Sequence, residues 1–95
     1  MISGLIWNSR GIGEKKKRDF IKEQIGKNNL DFVGIQETMK TDFNKLDLFD
    51  LSASEKFEWD FLPSKGRSGG ILVGINSATL IKEKKEQGEY FVKIK

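Results

Sequence analysis

The chain contains no cysteine and no histidine, a single proline, a single tyrosine, and no long apolar run. Without cysteine there are no disulfides and no thiolate metal sites, a composition that suits an intracellular protein. Without histidine the commonest general base and the commonest zinc ligand are both missing. No apolar stretch approaches the ~20 residues needed to span a bilayer. The opening "MISGLIWN" has no basic region ahead of its apolar segment and no small-residue cleavage site, so it does not read as a secretion signal.

What is present supports one small domain. The 95 residues include eight leucines, ten isoleucines, three valines and seven phenylalanines, enough for a packed core. Charge is mildly basic, with 17 Lys and Arg against 14 Asp and Glu for a net of +3, which permits contact with nucleic acid without requiring it.

Hydropathy patterning predicts an α/β fold. Residues 3–7 are short and uninterruptedly apolar, as in a strand covered on both faces. Residues 14–25 read as a helix with a charged first turn and an apolar stripe of Phe20, Ile21 and Ile25; Gly26, Asn28 and Asn29 supply the stop. Residues 32–36 form a second apolar strand. Strand, helix, strand is a βαβ unit, about residues 1–38, whose strands are expected to be parallel with a right-handed crossover. Residues 41–51 are weakly helical. A strand-rich part follows, about residues 55–95, with strands over 57–62 and 71–75 and a hairpin from 79–84 and 89–95. The last segment, "EYFVKIK", still alternates at its final residue, the pattern of a domain that stops in mid-strand.

Several motifs compete for function. Gly11-Ile12-Gly13 follows a strand and opens a helix, but Lys16 stands where a dinucleotide loop needs its third glycine, and the Gly-Lys-Ser/Thr of a P-loop is absent. Asn8 and Glu37 each follow the last apolar residues of a strand in the βαβ unit. Parallel neighbours would bring both to the carboxyl ends, where open α/β sheets bind ligands. An amide oxygen and a carboxylate there suit Mg²⁺; the alternative is a turn asparagine and a solvated glutamate. The run Lys15-Lys16-Lys17-Arg18 and the pair Arg67-Ser68 suit a phosphate backbone, or else a wet helix face and a plain turn. Trp7, Phe57, Trp59 and Phe61 are candidates for base stacking, with core packing the simpler reading.

Taken in order, "LIWNSRGIG", "DFVGIQET" and "GRSGGILVGI" resemble the endonuclease/exonuclease/phosphatase family, most closely the apurinic-type endonuclease domain of plant non-LTR, LINE-type retrotransposon proteins. The resemblance implies the N-terminal part of a four-layer α/β sandwich, a phosphodiester hydrolase requiring Mg²⁺ or Mn²⁺, a DNA substrate and a nuclear location. It matches Glu37 to the metal-binding glutamate and Asn8 to the asparagine lining the same site. Arg10, Lys15, Lys16, Arg67 and Ser68 stand beside these as candidate nucleic-acid contacts on their own chemistry. It also implies a later Asp-x-Asn pair and a terminal Asp-His pair, neither assignable in this chain, and some relatives carry an acidic residue where Arg10 stands. The expectation is therefore a partial domain over 1–95, inactive as a nuclease by itself. The alternatives are a non-catalytic nucleic-acid-binding module and a retroelement remnant without function.

Overall fold

The computed structural model describes residues 2–52, 56–65, 68–86 and 89–95. It is a mixed α/β fold with the order β1 (Gly4–Asn8), α1 (Lys15–Asn28), β2 (Phe32–Gln36), α2 (Lys45–Ser52), β3 (Phe57–Leu62), β4 (Ile71–Asn76), β5 (Leu80–Glu86) and β6 (Glu89–Ile94). Four strands form one sheet in the order β1-β2-β4-β3, and β5 and β6 form a separate two-stranded ribbon. β1 and β2 are parallel, with Asn8 opposite Gln36, as a βαβ unit requires. β4 runs antiparallel to both β2 and β3.

Alternation along the strands sorts the sheet into two faces. Val33, Ile35 and Leu72 point to one side and form the buried core with Ile12, Ile21, Ile25, Leu30, Leu51 and Phe57. The apolar stripe of α1 supplies Ile21 and Ile25 to that core. The aromatic candidates Trp7, Phe57, Trp59 and Phe61 pack in or against the core. Trp7 tilts against Phe20 at 5.0 Å between ring centres, Phe43 meets Phe61 edge-on at 5.2 Å, and Trp59 lies over Gly74, where any side chain would collide with its ring. On the opposite face, Phe32, Val73 and Ile75 look toward Leu80, Val92 and Ile94 of the ribbon across an apolar cavity of about 330 Å³. The described residues thus stack as helices, sheet and ribbon.

Two local expectations change. β1 was expected to be covered on both faces, yet Ile6 is 64% exposed. The reason is its place in the strand order: β1 is an edge strand, and α1 covers one face only. The helix also passes through Gly26, which has open space around it, and ends after Asn28. Asn29 makes the stop by adopting the left-handed conformation (φ 48°, ψ 53°), its N–H donating to the Ile25 carbonyl.

Asp31 ties three elements together at the start of β2. Its carboxylate accepts the Ser3 N–H at 2.9 Å and the Thr79 hydroxyl at 2.7 Å, while its carbonyl accepts the Asn76 N–H at 2.7 Å. The Ser3 bond first, then the Thr79 bond, hold the carboxyl below its ordinary value. A folded-state value below the unfolded one contributes stability that is present above about pH 4 and is lost as pH falls through the folded value. Asp31→Asn removes this contribution. The melting temperature of the unsubstituted chain is therefore expected to fall more steeply between pH 5 and pH 3 than that of Asp31→Asn, as circular dichroism melts would show. Equal slopes would mean that the knot holds without its charge.

Candidate functional site

The parallel pairing of β1 and β2 does not stop where the strands end. Ser9 N–H donates to the Gln36 carbonyl at 3.0 Å, Gly11 N–H to the Glu37 carbonyl at 2.8 Å, and Ile12 N–H to the Thr38 carbonyl at 3.0 Å. The buried Ser9 hydroxyl reaches both the Gln36 and Glu37 carbonyls, at 3.2 and 3.1 Å. From the other side, Thr38 and Met39 donate their N–H groups to the carbonyls of Gly70 and Gly69, at 3.1 and 2.9 Å. The Glu37–Lys40 segment is therefore laced between two loops, one after β1 and one before β4.

These three segments concentrate left-handed backbone. Arg10 (φ 53°), Gly11 (φ 100°), Glu37 (φ 52°), Met39 (φ 59°), Gly69 (φ 76°) and Gly70 (φ 91°) all adopt positive φ at this one end of the sheet. Elsewhere among the described residues, Asn29 at the helix stop is the one other case. Non-glycine residues in this region persist only where their surroundings hold them, and such positions cluster at functional sites.

Asn8 and Glu37 both emerge here. Asn8 ends β1, and its side-chain oxygen accepts the Arg10 N–H at 3.2 Å, an Asx turn that starts the loop. The turn reading of this asparagine is thus real, and it leaves a lone pair of the amide oxygen free. Glu37 is half-buried, and its carboxylate makes no hydrogen bond or ion pair among the described residues. Having no protein partner among them, it is the chemically conspicuous group of the site. Among the described residues no three Asp, Glu, His or Cys side chains gather as a metal cluster.

The basic run divides into two pairs. Lys15 and Lys16 stand on the exposed first turn of α1 and meet Asp19 at 2.8 Å and Glu14 at 3.7 Å. Lys17 and Arg18 turn back on the loop instead. The Lys17 ammonium donates to the Ser9 and Arg10 carbonyls at 2.9 and 3.2 Å, and the Arg18 guanidinium donates to the Gly13 carbonyl at 2.6 Å. Their role as staples of the loop after β1 was not apparent from the sequence, because it depends on the helix phase relative to that loop. Arg10 is exposed. Ser68 exchanges main-chain bonds with Lys65 and donates its hydroxyl to the Lys65 carbonyl at 3.3 Å. Arg67 lies outside the described residues. A cleft of about 310 Å³ lies between α1 and α2, lined by Lys15, Arg18, Lys22, Asp47 and Asp50, away from Asn8 and Glu37.

No helix among the described residues is long and apolar enough to cross a membrane. No protein-family profile matches the chain, and no curated protein matches it.

Proposed function

We propose that Asn8 and Glu37 form the metal-binding end of a divalent-metal-dependent phosphodiester hydrolase of the endonuclease/exonuclease/phosphatase type, acting on DNA and placed in the nucleus. The observation that supports this most is the partnerless Glu37 carboxylate. Glu37 follows Gln36, the residue paired with Asn8 at the carboxyl ends of two adjacent parallel strands, and its own backbone is held in left-handed conformation. The donor set suits Mg²⁺ or Mn²⁺, which accept oxygen ligands and are commonly held by one or two carboxylates with waters and phosphate completing the shell. When bound, such an ion polarises a phosphoryl oxygen and offsets charge on the leaving oxygen.

The chain's own part is to bind and orient. Glu37 supplies the anionic donor and Asn8 a neutral one. Ser9 and Thr38 fix the two segments that carry them, through the hydrogen bonds to Glu37 and Gly70. With no histidine, no imidazole can activate an attacking water, and loss of a general base costs about 10²- to 10⁴-fold in rate. Binding without turnover is accordingly the expected behaviour of this chain.

Manganese titration followed by amide NMR tests the reading. Paramagnetic broadening is expected first at residues 8–11 and 36–39, and it is expected to vanish in Glu37→Gln. Broadening that is unchanged in Glu37→Gln, or that centres on Asp47 and Asp50, would overturn the site. Supercoiled DNA incubated with the chain and Mg²⁺ is expected to stay intact; nicking that disappears in Glu37→Ala would show an active nuclease instead. DNA affinity that falls with salt, ignores metal and weakens when Lys15 and Lys16 are neutralised would favour the binding-module reading.

A further inference from the structure

We infer that Arg10 is the phosphate-contacting residue of the Asn8–Glu37 site: its guanidinium takes phosphate oxygens of the ligand and so orients a phosphodiester toward the Asn8 and Glu37 donors. The inference rests on the hydrolase reading for its ligand and adds the group that recognises the anion.

The loop after β1 offers no main-chain cradle for an anion. The N–H groups of Ser9, Gly11 and Ile12 donate to the carbonyls of Gln36, Glu37 and Thr38, and that of Arg10 donates to the Asn8 side chain. Loops that hold phosphate with their backbone do so through free N–H groups. Those of residues 9–12 are all engaged, so an anion here is met by a side chain. The Arg10 carbonyl in turn accepts the Lys17 ammonium at 3.2 Å. The frame around Arg10 is thus built from residues 8–38 and does not depend on the edges of the sheet.

That frame holds Arg10 at φ 53°. Glycine adopts such a backbone freely and asparagine readily, whereas arginine carries the strain of its Cβ. No contact of the side chain offsets that strain: it is exposed, and its guanidinium makes no hydrogen bond or ion pair among the described residues. Its basic neighbours are used differently. Lys17 and Arg18 donate to carbonyls of the loop, and Lys40 lies over the Phe43 ring at 5.1 Å. A strained residue whose side chain serves no internal contact is the pattern of a group that meets a ligand.

Glu37 carries the opposite charge on the adjoining segment, joined to this loop by the bond from the Gly11 N–H to the Glu37 carbonyl at 2.8 Å. The carboxylate and the guanidinium do not pair with each other, although their main chains run side by side. A carboxylate suits a cation and a guanidinium an anion, so the two together fit a divalent cation with its phosphate. Arginine's planar fork presents parallel N–H donors to two phosphate oxygens, a geometry that lysine lacks.

Binding of thymidylyl-thymidine, a single phosphodiester, tests this by amide NMR in Mg²⁺. Shifts at residues 8–11 are expected in the unsubstituted chain. Arg10→Gly and Arg10→Asn both suit left-handed backbone, so both are expected to fold with an equal or higher urea midpoint while binding the dinucleotide about tenfold more weakly. Arg10→Lys, which keeps the charge without the fork, is expected to fall between. Equal dinucleotide affinity in Arg10→Gly, or no dinucleotide shift in the unsubstituted chain, would overturn the proposal. So would a urea midpoint that drops in both variants, which would make Arg10 a packing residue. Manganese broadening at residues 36–39 reports the metal reading separately, and it is expected to survive Arg10→Gly. A chain that holds the dinucleotide through Arg10 while its manganese broadening ignores Glu37→Gln would sink the metal reading and leave the phosphate contact standing.

Discussion

Gly70→Ala is expected to destabilise the fold by about 3–5 kcal/mol, whereas Gly69→Ala is expected to cost about 1–2 kcal/mol. Both glycines have positive φ, so each substitution meets the strain that a Cβ suffers in left-handed backbone. Only Gly70 adds a collision: its Cβ would strike the Thr38 hydroxyl and crowd Ser64 and the Met39 nitrogen, whereas Gly69 has open space. Thr38 cannot move aside. Its side chain is fully buried, its N–H is spent on Gly70 and its carbonyl on Ile12. Urea denaturation separates the two effects through the midpoint at constant slope. Near-equal losses would show that backbone strain alone sets the cost. Because the pressed segment carries Glu37, Gly70→Ala is also expected to weaken manganese broadening at residues 36–39, while Gly69→Ala leaves it in place.

This coupling shows why the site was partly legible from the sequence. Asn8 and Glu37 could be placed together because one ends a strand and the other directly follows a strand of one βαβ unit, and a parallel register brings both to the same end. The strand limits at Phe32–Gln36 and Phe57–Leu62 were equally readable, since short apolar or alternating runs are bounded there by turn residues. The lacing of Glu37–Lys40 against Gly69 and Gly70 was not, because it depends on β4 pairing with β2 across nearly forty residues. The exposure of Ile6 was hidden for the same reason. An apolar run looks alike in a central strand and at an edge, and only the order of strands decides between them. The helix end was misjudged at Gly26 because open space around a glycine leaves a helix free to continue, while Asn29 could adopt the left-handed stop.

The basic run teaches a related lesson. Four adjacent cations suggest one surface, but on a helix they point in different directions, and here only Lys15 and Lys16 face outward. Lys17 and Arg18 satisfy carbonyls of the loop that carries Arg10 through Gly13. Positive charge near the site is thus partly structural, and the shape of the Asn8 loop depends on it.

The two faces of the sheet should respond to truncation very differently, and Ile35 and Ile6 give the cleanest comparison. Ile35, on β2, is fully buried among Ile21, Leu51 and Leu72; Ile6, on the neighbouring β1, points to the opposite face and is largely exposed. Ile35→Ala is expected to cost about 2–5 kcal/mol, the lost transfer energy plus a cavity that the close-packed helices cannot refill. A domain of this length has roughly 5–14 kcal/mol in total, so that single change consumes a large share. Ile6→Ala should stay within about 0.5 kcal/mol, since little of its surface leaves water on folding. Urea titrations of both variants would check this. A cost at Ile6 that approached the one at Ile35 would mean that the open face beside β1 is buried in the folded chain.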